Sequence, residues 1–103
     1  MRRGEVWWVE QPEIGRRPYL VLARDAAITV LNAVVSVPAT RTVRGIPTEV
    51  AIGPEEGMPE PCVLTLDNVT VMPKAFFVER IAALAPDVVG RVRQALAHAT
   101  ACY

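Results

Sequence analysis

At 103 residues, 51% of them apolar, the chain is sized for one domain with a real core and leaves little room for a second. Eleven basic side chains balance eleven acidic ones. The molecule is therefore not a polycation, and any grip on nucleic acid must come from local clustering of charge.

Two cysteines, Cys62 and Cys102, lie forty residues apart without paired spacing and read as reduced thiols. Met1-Arg2-Arg3 runs straight into Gly4-Glu5 and does not read as a signal peptide. The longest apolar stretch, Ala26 to Ala39, is broken by Thr29, Asn32 and Ser36, too short and too polar to span a bilayer. The expectation is a cytoplasmic domain with no membrane partner. Ten of the eleven basic residues are arginine, with Lys74 the exception. That bias suits phosphate contacts, but it equally follows GC-rich coding, so position matters more than number.

Taken in chain order, the first three quarters are strand-like. Glu5 to Glu10 is a β-branched and aromatic run and predicts strand one. Gln11 to Arg16, with its proline and glycine, predicts a loop. Arg17 to Arg24 predicts strand two, and its nearly continuous apolar character argues for burial on both faces. Asp25 to Leu31 predicts a helical turn capped by Asp25. Asn32 to Thr40 predicts strand three, closing at Pro38. Arg41 to Pro47 reads as a loop, and Thr48 to Ile52 as strand four.

Gly53 to Pro61, with three prolines, two glycines and three glutamates, predicts an exposed acidic connection. Cys62 to Met72 predicts one or two strands, with Asp67-Asn68 at a bend; a turn follows Pro73, and Phe77 to Leu84 is the last strand. Pro86 opens the one clear helix, since its missing N–H costs nothing in a first turn. Val88, Val89, Val92, Ala95, Leu96 and Ala99 fall on one helical face, and Asp87, Arg91, Gln94 and His98 on the other. Short strands followed by a helix predict a mainly β domain, residues 1–103, built as a small open barrel with a terminal helix.

The usual catalytic inventory is nearly empty. His98 is the sole histidine, and it falls on the polar helix face. No His, Cys or carboxylate cluster has metal-ligand spacing, so neither a metal nor another cofactor is expected. Glu55, Glu56 and Glu60 read as a solvated rim. What remains is polar groups at strand ends: Arg16-Arg17-Pro18, Pro38-Ala39-Thr40-Arg41 and Asp67-Asn68. Strand ends on one rim of a small barrel converge in space. From spacing alone, Arg17 as a strand cap and Thr40 as a turn residue is the plainer reading, with a shared site the alternative.

The pieces R-R-G-E-V-W, R-P-Y-L-V-L, P-A-T-R and V-L-T-L-D-N-V, in this order and spacing, resemble the MazF/PemK toxins of bacterial toxin–antitoxin modules. The resemblance runs from Arg3 to about Ala97. It implies a small SH3-like open barrel, shared with the gyrase-poisoning CcdB toxins, and a homodimer. It further implies metal-independent cleavage of single-stranded RNA at a short sequence, and an antitoxin partner whose acidic, disordered tail blocks the groove.

Matched residue by residue, the family's catalytic arginine falls on Arg17 and its catalytic threonine on Thr40. Its acidic-amide pair, which helps to read bases, falls on Asp67-Asn68, where the amide is one methylene shorter than the usual glutamine. The loop from Gln11 to Gly15 is shorter than in many relatives, and Glu13 is its candidate acidic contact. Arg16, Arg41 and Arg44 are candidates for backbone phosphates, and Gly45 gives the last of these loops room to approach RNA. Trp7 and Trp8 point to opposite faces of strand one, so one is expected in the core and the other against a base or a second subunit. The same barrel also leaves open a gyrase poison, or a binding module with no activity.

Overall fold

The computed structural model describes residues 1 to 101; Cys102 lies outside them. Seven strands and two helices follow in the order β1 (Glu5–Gln11), β2 (Gly15–Val21), α1 (Asp25–Val30), β3 (Ala33–Thr40), β4 (Glu49–Ile52), β5 (Cys62–Thr65), β6 (Thr70–Pro73), β7 (Phe77–Ala83) and α2 (Pro86–Thr100). The strands form one antiparallel sheet in the order β4-β5-β3-β2-β1-β7, with β6 also paired to β3, and the sheet curls into an open barrel. This is the mainly β architecture with a terminal helix that the residue pattern predicts.

The centre of the sheet is buried on both sides. Leu20 faces one apolar cluster with Val6, Val37, Leu64 and Leu66, which α2 closes with Val88, Val92 and Ala95. Tyr19 and Val21, on the alternate face of the same strand, join Val9, Ile28, Val34, Met72 and Phe77 in a second cluster. The unbroken apolar run in β2 is thus the mark of a strand between two cores.

β3 holds the two halves of the barrel together by changing partners. Ala33 to Ser36 pair with β6, and Ala39 and Thr40 pair with β5. Pro38 falls at the changeover, where that edge of β3 needs no N–H to donate. The strand therefore runs through the proline to Thr40 instead of closing at it. The matching bend on the other side is the 3-10 turn Leu66–Asn68, which separates β5 from β6 where the Asp67-Asn68 pair predicts it.

Four local expectations are corrected. β2 begins at Gly15, two residues early, and ends at Val21. Its end is set by Leu22 and Ala23, whose N–H groups both donate to the Val35 carbonyl at 3.0 Å. The β1–β2 hairpin is tight: Gln11 pairs with Gly15, and three residues turn the chain. Glu13 at φ 67° and Gly15 at φ 108° take the left-handed conformations the turn requires. Arg24, not Asp25, is the N-cap of α1; the Asp25 carboxylate instead accepts the Arg3 N–H at 2.8 Å.

The Gly53–Pro61 connection is not wholly exposed, because Met58 turns inward to 4% exposure and fills the barrel mouth. Neither tryptophan is fully buried: Trp7 packs on the second cluster, and Trp8 faces the hollow described below.

Glu5 ties the start of β1 to its neighbours. Its carboxylate accepts the Arg2 N–H at 2.7 Å, the Trp7 indole at 3.1 Å and the Arg80 guanidinium at 3.3 Å. Burial works to raise its pKa, but these donors outweigh burial and hold it below the usual glutamate range. The stabilisation is therefore complete above the unfolded value of about 4.3 and is lost as pH falls through the lower folded value. Urea midpoints measured against pH should show an acid limb in the native protein that Glu5→Gln flattens, with the variant less stable at neutral pH.

Candidate active site

The register of β2 on β3 decides the geometry of the site. Tyr19 lies opposite Pro38, and Val21 opposite Ser36. Carried two residues towards the rim, that register sets Arg17 opposite Thr40, on the same face of neighbouring strands. Both residues, with Thr42, line both of two hollows and so mark where the two meet.

The larger hollow is a cleft of about 510 Å³. Trp8, Pro18, Met58 and Pro59 give it an apolar wall, and Arg16, Arg17 and Arg41 give it positive charge. The Arg16 guanidinium stands 5.4 Å over the Trp8 ring, which fixes both at the cleft wall. Across the mouth, Arg41 Nη2 meets Glu60 Oε1 at 2.7 Å. Both partners are exposed, so the pair is worth about 0–1 kcal/mol and yields readily to a competing anion. The smaller recess, about 130 Å³, shares Arg17, Thr40 and Thr42 with the cleft and adds Pro38, Arg44, Thr65 and Asn68.

Local bonds orient these groups. The Thr42 N–H donates to Thr40 Oγ1 at 3.2 Å, which leaves the Thr40 hydroxyl proton available to an acceptor in the hollows. Glu49 accepts the N–H groups of Arg44 at 3.0 Å and Gly45 at 2.8 Å, pinning the loop that carries Arg44. Gly45, at φ 69°, makes that close turn without strain.

The Asp67 carboxylate accepts the Thr48 hydroxyl at 2.6 Å and lines neither hollow, whereas Asn68 lines the recess. Glu13 lies at the hairpin tip, also outside both hollows. Six of the eight residues singled out in the sequence are thus brought together. The hollows also draw in Trp8, one of the two tryptophans considered for stacking on a base, and Thr42, Met58, Glu60, Cys62 and Thr65, which the sequence does not mark as site residues.

The cleft offers no ready protein nucleophile. Burial first, then the charges of Glu60 and Glu56, push the Cys62 thiol up, so it stays protonated at neutral pH. Among the described residues, no three His, Cys, Asp or Glu side chains gather as a metal site. The exposed His98 lies on α2 against a separate hollow beside β4. Thr65 Oγ1 is buried and has no hydrogen-bond partner among the described residues, an arrangement that costs about 1–3 kcal/mol.

A fold of this kind has close counterparts. Residues 2–100 match the family described as PemK-like, MazF-like toxin of type II toxin–antitoxin system. A probable endoribonuclease MazF5 of Mycobacterium tuberculosis is 45% identical over 81% of this chain and 77% of its own length. A probable endoribonuclease MazF2 of the same species is 40% identical over 99% of this chain and all of its own. Among solved structures, a mycobacterial endoribonuclease in complex with its cognate antitoxin superposes with a TM-score of 0.89 at 27% identity, covering 100% of this chain and 97% of that one. The chain belongs to the PemK-like, MazF-like toxins of type II toxin–antitoxin systems, a family of endoribonucleases.

Proposed function

We propose that this toxin endoribonuclease cuts single-stranded RNA at a short sequence motif, with the RNA's own 2′-hydroxyl as nucleophile and no call on a metal. The observation that carries the reading is the placement of Arg17 and Thr40 side by side where the two hollows meet. The 2′-oxygen attacks the adjacent phosphorus as the bond to the 5′-oxygen breaks. One proton leaves the 2′-hydroxyl and one reaches the departing oxygen, giving a cyclic phosphate and a 5′-hydroxyl end with no water consumed. DNA lacks the nucleophile and is not cut.

Charge builds on the non-bridging oxygens during this step. Arg17 is the fixed cation that meets it, and Thr40 donates its hydroxyl to the same phosphate. A guanidinium, with a pKa above about 12, is a poor proton carrier at neutral pH, so Arg17 serves as a clamp and not as the base. Arg16, Arg41 and Arg44 take backbone phosphates. Of the three residues assigned to base reading, Asn68 lines the recess, and Glu13 and Asp67 meet the RNA where it leaves the two hollows. An antitoxin with an acidic, disordered tail occupies the same cleft, its carboxylates on the arginines and its apolar side chains against Trp8, Met58 and Pro59. A second copy of the chain covers exposed apolar surface: Val35 and Val71 lie directly opposite each other in the β3/β6 pairing, with Val30 and Leu31 exposed at the end of α1.

The test is incubation with a long RNA in excess EDTA and mapping of the new ends. Cleavage should persist, recur at one motif, leave 5′-hydroxyl ends and stop at a single 2′-deoxy substitution at the cut site. Cuts that need a divalent cation, or that leave 5′-phosphates, would overturn the reading.

A further inference from the structure

We propose that the 130 Å³ recess seats a second phosphate of the bound RNA, next in the chain to the one being cut, with the buried Thr65 among its donors. The inference rests on the RNA-cleaving reading above. Two guanidinium groups, three threonines and one amide line the recess, and no carboxylate does. The two acids nearest in the chain are engaged elsewhere, Asp67 by the Thr48 hydroxyl and Glu49 by the Arg44 and Gly45 N–H groups. The lining is therefore complementary to an anion.

Thr65 supplies the second observation. It is 2% exposed, lies in a strand whose other residues are Cys62, Val63 and Leu64, and its hydroxyl has no partner among the described residues. Burial in β5 alone gives no reason for a hydroxyl there. Ser36, the other unpaired buried hydroxyl, lines neither hollow and has no such outlet. Size allows it as well: a recess of about 130 Å³ has room for a phosphate group. Because Arg17, Thr40 and Thr42 line both hollows, an RNA strand crossing from one to the other places consecutive linkages over them.

Thr65→Val keeps the shape and removes the hydroxyl, so its melting temperature should equal or exceed that of the parent. Its affinity for an RNA made uncleavable by one 2′-deoxy at the cut site should fall about tenfold, the loss of one hydrogen bond to a charged group. The cleaved motif should stay the same, and Thr65→Ser should restore the affinity. Arg44 is exposed, so Arg44→Ala folds normally; its log–log dependence of affinity on salt should be shallower by about one. Parental affinity in Thr65→Val, a changed motif, or an unchanged salt slope in Arg44→Ala would each overturn the assignment. A parent protein that neither binds nor cuts RNA would instead overturn the activity on which the inference rests, so the two failures are distinct.

Discussion

Replacing Arg17 by alanine is expected to slow RNA cleavage by about a hundred- to a thousand-fold, the effect of losing one preorganised donor to a charged transition state. The loss should appear mainly in kcat, because the clamp acts on charge that develops during attack; binding of the uncleavable RNA should weaken far less. Arg17 is exposed at the barrel rim and is no part of the buried core, so the melting curve should move little. Arg17→Lys should recover only part of the rate, since an ammonium keeps the charge but not the two-pronged geometry. Arg17→Ala combined with Thr40→Val should cost less than the two single losses added, because both groups serve one phosphate. Single-turnover rates of the four variants check the set; a parental rate in Arg17→Ala would remove the clamp from the mechanism.

Leu64→Ala should produce the largest change in stability, about 3–5 kcal/mol, the range for deleting a fully buried leucine from a core that relaxes little. Leu64 is 0% exposed and is held on both sides, opposite Ala39 of β3 and Val50 of β4. A domain with roughly 5–15 kcal/mol in hand would be left marginal. Urea unfolding should give a lower midpoint with the same slope. A shift below about 1 kcal/mol would mean that the β5 wall repacks around the cavity.

Much of the fold was legible because its signals are local. The apolar run of β2, the alternation of β4 and the proline at the head of α2 each declare an element within a few residues. The errors arose where tertiary context overrode a local sign. Gly15 and Arg16 look like loop residues because they are exposed beside a proline-containing turn, yet their backbone is paired with Gln11 and Glu10. Met58 sits among prolines, glycines and glutamates that read as solvated, but the barrel mouth takes it in. Pro38 reads as a stop, and only the exchange of β6 for β5 along β3 shows why it is tolerated.

For the site, spacing alone left Arg17 and Thr40 as cap and turn residues, and the family resemblance singled them out. Register supplies the physical reason: Tyr19 opposite Pro38 carries Arg17 to Thr40. The sign for Thr65 was present as a lone hydroxyl in an otherwise apolar strand, but the recess exists only once β2, β3, β5 and the Arg44 loop have met.

The tight β1–β2 hairpin bears on control. With Gln11 paired to Gly15, only three residues lie beyond the last rung, too few to fold across the cleft as a lid. On the proposed reading the rim then stays open without a lid of its own, and restraint rests with whatever occupies it. The lifetime of that occupant, set by its dissociation or its destruction, becomes the clock that decides when the toxin acts.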